Sequence, residues 1–412
     1  MKALNVLRRT RIVPVALMLC IGLGPVTSSD PVSASPSAPA QSAIDPFYTP
    51  PSPLPSGSPG DLIRSERTTV SPLPGIPLPG VNAWRLMYRS TSATDQQVAV
   101  TGTLMVPQMP WLLGRRPVVS YALGSHGMGE QCTPSIQFRS GTQFELGVIG
   151  AYLAQGWAAV VTDYQRRPVH TFVNTRMAAH AVLDAARAAA RVPGSGITAA
   201  NPVAVSGYSQ GGHAAAAAAE RQPTYAPGLN LKGVAAGGVP ADLRAVANAV
   251  ERDVLFGVVP MAVASLSAAY PELPLDGLND TGRAAIAQVT GQCIVETSAQ
   301  WAFRSATELT VGGRTIDEFF ASQPAWAARV DEQRIGRLRP GVPVLAYQGL
   351  LDPWVPHAVT QQLAADWCGL GANVRFRTYP IAEHFGGLGE AIPEVVLWLH
   401  SRFADTPSAS TC

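Results

Sequence analysis

Hydrophobic positions change period along the chain. Residues 81–91, VNAWRLMYRST, and 96–107, QQVAVTGTLMVP, alternate or carry β-branched side chains, which predicts strands of an antiparallel opening. Further on the apolar runs become short and nearly continuous: PVVSYAL (117–123), WAAVVTDY (157–164), PVAVSG (202–207), KGVAAGG (232–238), PVLAYQG (343–349) and VRFRTYP (374–380). Strands apolar on both faces are what a parallel sheet covered by helices requires. Helical patterns such as RMAAHAVLDAARAAARV (176–192) lie between several of them, and strand alternating with helix predicts an α/β fold. One connection, residues 239–342, is far longer than a crossover needs. Its segments DLRAVANAV, MAVASLSAAYPEL and WAFRSATEL read as helical, so it is expected to be an inserted helical cap.

The N-terminus follows neither period. Lys2, Arg8, Arg9 and Arg11 form a basic head, Ile12 to Val26 a short apolar run, and Val32-Ser33-Ala34 a small-residue exit. This predicts a secretory signal peptide over 1–34, cleaved after Ala34. The alternative, an uncleaved anchor, needs a longer run: no apolar stretch here reaches the ~18 residues of a span. Cys20 lacks the small residue before it that a lipoprotein signal wants. Residues 35–60, rich in Ser, Pro and Ala, predict a disordered leader, with the folded domain over 61–412.

Composition narrows the function classes. The 412-residue chain is 47% hydrophobic and 14% charged with a net charge of +2, and four of its basic residues fall in the first 34, so the remainder is close to neutral. No basic field serves nucleic acid or anionic lipid. Export makes the four cysteines beyond the signal, Cys132, Cys293, Cys368 and Cys412, candidates for two disulfides, with three connectivities open. They show no ligand spacing, so no metal site is expected.

The chemistry centres on Gly207-Tyr208-Ser209-Gln210-Gly211. A G-x-S-x-G between a strand and a helix marks a sharp turn that lifts the serine hydroxyl above the sheet, and side chains at the glycines would strike neighbouring elements. A serine needs a base, and the base a carboxylate, in the order serine, acid, histidine on loops after sheet strands. Asp352 in AYQGLLDPWVP and His384 in RTYPIAEHF meet both conditions. His357 lies too close to Asp352, His213 is in the nucleophile helix, Glu383 adjoins His384, and Asp163 precedes the serine as a structural carboxylate. Oxyanion donors are expected from the amides of Gln210 and of Ser125, in YALGSHGMGEQCTPS, where His126 reads as a loop-bonding residue rather than a metal ligand.

SYALGSHGMGEQCTPS, VVTDY, VHTFVN with HAVLDAARAA, GYSQGGHAA, GGVPADL, LLDPWVP and EHF together resemble the secretory lipase family of α/β-hydrolases, which includes exported actinobacterial lipases and the yeast lipase A type, over roughly residues 80–400. The resemblance implies an α/β-hydrolase core with a helical cap, no cofactor, and ester hydrolysis by Ser209, His384 and Asp352. It also implies the pairs Cys132–Cys293, tying cap to site, and Cys368–Cys412, anchoring the tail DTPSASTC. After TDY the chain departs from the family pattern with Gln165-Arg166-Arg167. The expected substrate is a small-molecule or lipid ester, with transient contact at a lipid interface and no obligate protein partner. Acyl transfer or peptide hydrolysis on the same triad, and lipid binding without catalysis, stay open as alternatives.

Overall fold

The computed structural model describes residues 45–167 and 170–412. The expected signal peptide and residues 35–44 of the expected leader lie outside them. The described residues form a nine-stranded sheet. In chain order its strands are β1 (Leu62–Thr68), β2 (Val81–Thr91), β3 (Gln97–Pro107), β4 (Val118–Ala122), β5 (Ala158–Thr162), β6 (Val203–Tyr208), β7 (Leu231–Gly237), β8 (Val344–Gly349) and β9 (Val374–Tyr379). Helices α1 (Pro134–Ser140) and α2 (Leu146–Ala154) follow β4, α3 (Thr175–Ala189) follows β5, and α4 (Gln210–Tyr225) follows β6. Between β7 and β8 come α5 (Leu243–Ala249), α6 (Val258–Ala269), α7 (Asp280–Val289), α8 (Ile294–Trp301), α9 (Ile316–Ser322) and α10 (Pro324–Glu332). Finally α11 (His357–Gly369) follows β8 and α12 (His384–Phe403) follows β9.

In space the strands run β1-β2-β3-β5-β4-β6-β7-β8-β9. Pairings from β1 through β3 to β5 are antiparallel, and all others are parallel. Strands β4 and β6 are neighbours, with Ala122 opposite Gly207, yet the chain leaves β4 toward β5 on one side and β6 toward β7 on the other. At such a reversal the loops at the carboxyl ends diverge and leave a crevice. The central strands β4, β5, β6 and β8 are buried throughout, so alternate side chains feed opposite layers. Val203 and Val205 join the alanine faces of α3 and α4, while Ala204 joins α2 and α12. Ala214 to Ala219 are all 0% exposed, and their small side chains let α4 lie close between α3 and the sheet.

The six helices between β7 and β8 carry apolar clusters of their own, around Phe256, Met261 and Trp301 and around Leu266, Tyr270 and Trp326. Two expectations need correction. WAFRSATEL is not one helix: α8 ends at Trp301, Phe303 takes φ 62°, and only a short 3-10 turn follows at Ala306–Glu308. The break is tertiary, because the Phe303 amide donates to the Asp253 carbonyl. Residues 45–60 are not a disordered leader either. Phe47 is buried beneath the Arg85 guanidinium, 4.2 Å from its ring centroid, and Asp45 pairs with Arg85 and Arg139. Against the opposing effect of burial, hydrogen bonds from Arg85, the Phe47 amide and Arg139 bring the Asp45 carboxyl down to about 2. One aromatic and one anion seat this segment.

The C-terminal tail closes an open edge. Beyond α12 the Thr411 amide donates to the Val374 carbonyl at 2.8 Å, and the Phe376 amide to Thr411 Oγ1 at 2.9 Å, along edge strand β9. A Cys368–Cys412 disulfide pins the chain end there, 5.4 Å between Cα atoms. Unpaired edges invite association with other strands. Replacing both cysteines with serine is expected to cost about 2–4 kcal/mol of stability in urea unfolding. An unchanged midpoint would mean the tail anchors nothing.

Candidate active site

Ser209 sits between β6 and α4 with φ 59° and ψ −122°, a conformation that side chains rarely adopt. The strain is imposed by packing. A Cβ on Gly207 would lie 2.3 Å from the Gly211 carbonyl oxygen, one on Gly211 1.9 Å from that of Ala122, and one on Gly212 2.0 Å from that of Gly237. With those contacts closed, the serine side chain is left at the carboxyl edge of the sheet, on the N-terminus of α4, whose amides favour negative charge. Among the described residues its hydroxyl takes no hydrogen-bond partner.

Asp352 and His384 arrive from the loops after β8 and β9. His384 Nδ1 donates to Asp352 Oδ2 at 2.6 Å, which leaves Nε2 unprotonated in the neutral ring. The carboxylate is fixed from all sides: Gln348 Nε2 also donates to Oδ2 at 2.8 Å, and the Trp354 and Val355 amides donate to Oδ1 at 3.0 Å each. Gln348 is itself oriented by Thr360 Oγ1, which donates to its Oε1 at 2.8 Å. His384 starts α12, next to its N-cap Glu383, whose side chain accepts from the Phe385 and Gly386 amides. Trp354 lies against the imidazole, 5.0 Å between ring centres, and its indole N–H donates to Asp253 on the α5–α6 connection at 2.7 Å.

Ser125 lies on the loop after β4. The Glu145 carboxylate, at the start of α2, accepts from the Gly124 amide at 2.8 Å and from the Tyr121 hydroxyl at 2.6 Å. Residues 126–129 pair with the entry to α8: the Ile294 amide donates to the His126 carbonyl at 3.0 Å, and the Met128 amide to that of Gln292 at 2.9 Å. A Cys132–Cys293 disulfide lies alongside, 5.4 Å between Cα atoms. From the Gln165-Arg166-Arg167 departure, half-buried Arg166 donates to the Met128 and Gly129 carbonyls, and desolvation pulls its guanidinium down to about 10.

Ser125, Ser209, Gln210 and His384 border one cavity of about 600 Å³, roofed by Leu243, Ala247, Val259 and Ala262. Those four roof residues also line a second, apolar cavity of about 790 Å³ among α6, α7, α9 and α10. The remaining candidates fall elsewhere. Asp163 accepts from Thr101 Oγ1 and from the Ser135 amide and hydroxyl, a satisfied buried carboxylate. His357 bonds Thr378 Oγ1. Among the described residues no cluster of His, Cys, Asp or Glu could hold a metal ion. Sequence reading missed Gln348, Thr360 and the Trp354–Asp253 contact. Only Trp354, two positions from Asp352, had a local signal.

Comparison with known proteins gives a consistent picture. A family model described as secretory lipase matches residues 133–411. A Mycobacterium tuberculosis protein named "probable inactive lipase" is 31% identical, with 88% of this chain and 82% of that protein covered. A secreted triacylglycerol lipase of Malassezia globosa is 29% identical over 89% of this chain and 81% of its own. Among solved structures, Candida antarctica lipase A in its closed state superposes with a TM-score of 0.78 at 23% identity, covering 89% of this chain and 87% of that one. The Xanthomonas oryzae cell-wall-degrading esterase gives 0.66 at 18%, covering 84% and 97%. These two likenesses show a shared α/β-hydrolase fold.

His213 lies wholly buried on α4, one turn from Ser209, with Nε2 at 3.1 Å from Thr175 Oγ1. Burial pushes its imidazole down to about 4. A folded-state value below the unfolded ~6.5 means that the stability tied to neutral His213 is full above pH 6.5 and is lost as pH falls toward 4. The stability gap between the native chain and His213→Gln is therefore expected to narrow by about 3 kcal/mol between pH 7 and pH 4. A gap independent of pH in denaturant titrations would contradict this.

Proposed function

The chain belongs to the secretory lipase family and is an ester hydrolase, and from that premise we propose that it is an exported enzyme cleaving acyl esters at Ser209. The observation that carries the proposal is the convergence of a strained serine and a carboxylate-held imidazole on one apolar-roofed cavity. Ser209 Oγ attacks the ester carbonyl as His384 Nε2 takes its proton, and Asp352 stabilises the resulting imidazolium. The oxyanion is received by the Ser125 and Gln210 amides. Collapse expels the alcohol, which takes the proton from His384 and leaves an acyl-Ser209 ester. Water, deprotonated by His384, then attacks that ester; the acid departs and Ser209 regains its proton. No cofactor enters these steps.

Two further features support a lipid-like acyl group. The chamber among α6, α7, α9 and α10, which shares a wall with the Ser209 cavity, is lined almost wholly by apolar side chains. On the segments that carry Asp352 and His384, Leu351, Ile381 and Phe385 are 60%, 80% and 62% exposed, apolar side chains suited to transient contact with a lipid interface. Two disulfides and the sequence of residues 1–34 support export. The name of the M. tuberculosis relative keeps one second reading in view, a hydrolase fold that binds lipid without turning it over.

Turnover decides between them. Ser209→Ala is expected to lower p-nitrophenyl butyrate hydrolysis by ~10³-fold or more in a folded protein. Loss of less than ~10-fold would reject Ser209 as nucleophile, and absence of turnover in the native chain would favour lipid binding alone. Ala262→Trp, at the wall shared by both chambers, is expected to depress palmitate over butyrate ester turnover by ~10-fold. Equal effects on both would make the cap a scaffold without a role in acyl selection.

A further inference from the structure

His126 is not needed for the triad, yet it is 3% exposed and bonded at both ring nitrogens. Nδ1 lies 2.9 Å from the Gly124 carbonyl oxygen, which only accepts. Nε2 lies 2.7 Å from Gln143 Oε1. The orientation of that amide is fixed by its other partners: Oε1 accepts from the Glu145 amide at 3.0 Å, and Nε2 donates to Gln137 Oε1 at 3.2 Å. Both imidazole nitrogens thus face acceptors. A neutral ring has one N–H and would leave one acceptor facing a lone pair in a buried site; only the doubly protonated ring satisfies both.

The surroundings can hold such a cation. Phe144 stacks on the ring at 4.3 Å and 9°, covering it from solvent. The titratable groups near it are Glu145 and His170, with Arg166 beyond His170. Burial raises the Glu145 carboxyl, opposed by the His126 charge and by the bonds from Tyr121 and Gly124. Burial, then Arg166, then His126 hold His170 well down, so it is neutral and adds no repulsion.

We propose that His126 is a buried imidazolium that aims the Ser125 amide into the oxyanion hole. Gly124 C=O and Ser125 N–H are the two ends of one peptide plane. His126 holds its carbonyl end, and Glu145 holds the preceding amide, that of Gly124. An imidazolium and a carboxylate therefore clamp the loop on both sides of Gly124, and the pairing of His126 C=O with the Ile294 amide carries the clamp to α8. His126 touches no reacting atom; it is a positioning residue. The inference rests on the reading of Ser125 as an oxyanion donor, and its first test does not depend on turnover.

That test is ¹⁵N NMR of histidine-labelled, oxidised protein at neutral pH, with the His126 signals identified by their loss in His126→Gln. Both ring nitrogens are expected at protonated shifts; one nitrogen at the unprotonated shift overturns the proposal. In Gln143→Met, which removes one acceptor, the ring is expected to become neutral, and an unchanged doubly protonated ring would show that the acceptors do not set its state. Kinetically, His126→Gln is expected to cut kcat for p-nitrophenyl butyrate by ~10–100-fold with KM within ~2-fold, and to weaken an alkyl boronic acid, a tetrahedral oxyanion mimic, by a similar factor. Unchanged kcat and boronate affinity in the folded variant would overturn the positioning role, whereas activity surviving Ser209→Ala would instead overturn the functional reading beneath it.

Discussion

Helix α4 lies closer to the sheet than any side chain at Gly211 or Gly212 would permit. Their missing Cβ atoms would fall 1.9 Å and 2.0 Å from the carbonyl oxygens of Ala122 and Gly237, at the ends of the flanking strands β4 and β7. This approach is the constraint on which the site depends. It forces Ser209 into a positive-φ turn, sets the Gln210 amide at the helix start, and places both at the crevice between β4 and β6. The alanine face of α4 makes the approach tolerable over the rest of the helix, since Ala214 to Ala219 are fully buried without crowding. Strain at the serine is thus maintained by ordinary close packing elsewhere.

A second layer of constraints joins the helical insertion to the two loops that flank the serine. Residues 126–129 pair with residues 292–294 beside the Cys132–Cys293 disulfide, while Trp354, which lies against His384, bonds Asp253. The insertion therefore touches both the loop after β4 and the loop after β8 that carries Asp352. Its apolar side chains roof the cavity beside Ser209, so on the proposed function the same contacts would both select the acyl group and align the reacting groups.

The parts legible in the sequence are those whose cause is local. Gly207, Ser209 and Gly211 announce a tight turn because the glycines adjoin the residue they serve. Asp352 and His384 follow runs that read as strands of the sheet, and the fold brings them within 2.6 Å. What was not legible depends on distant partners. WAFRSATEL has a helical pattern, but the Asp253 carbonyl captures the Phe303 amide and breaks it. Residues 45–48 look like spacer until Arg85 and Arg139 supply counter-charges for Asp45 and a cover for Phe47. His126 read as a loop-bonding histidine, and nothing beside it in sequence reveals that Gln143 and Gly124 present acceptors to both of its nitrogens.

The central claim is that packing at the β6–α4 turn makes Ser209 a nucleophile through His384 and Asp352. Covalent labelling tests it most directly. A fluorophosphonate probe added to the oxidised protein, followed by peptide mass spectrometry, is predicted to give one adduct per chain on Ser209, formed far more slowly in Asp352→Asn. A folded, disulfide-intact protein that takes no label, or takes it on another serine, would contradict the account.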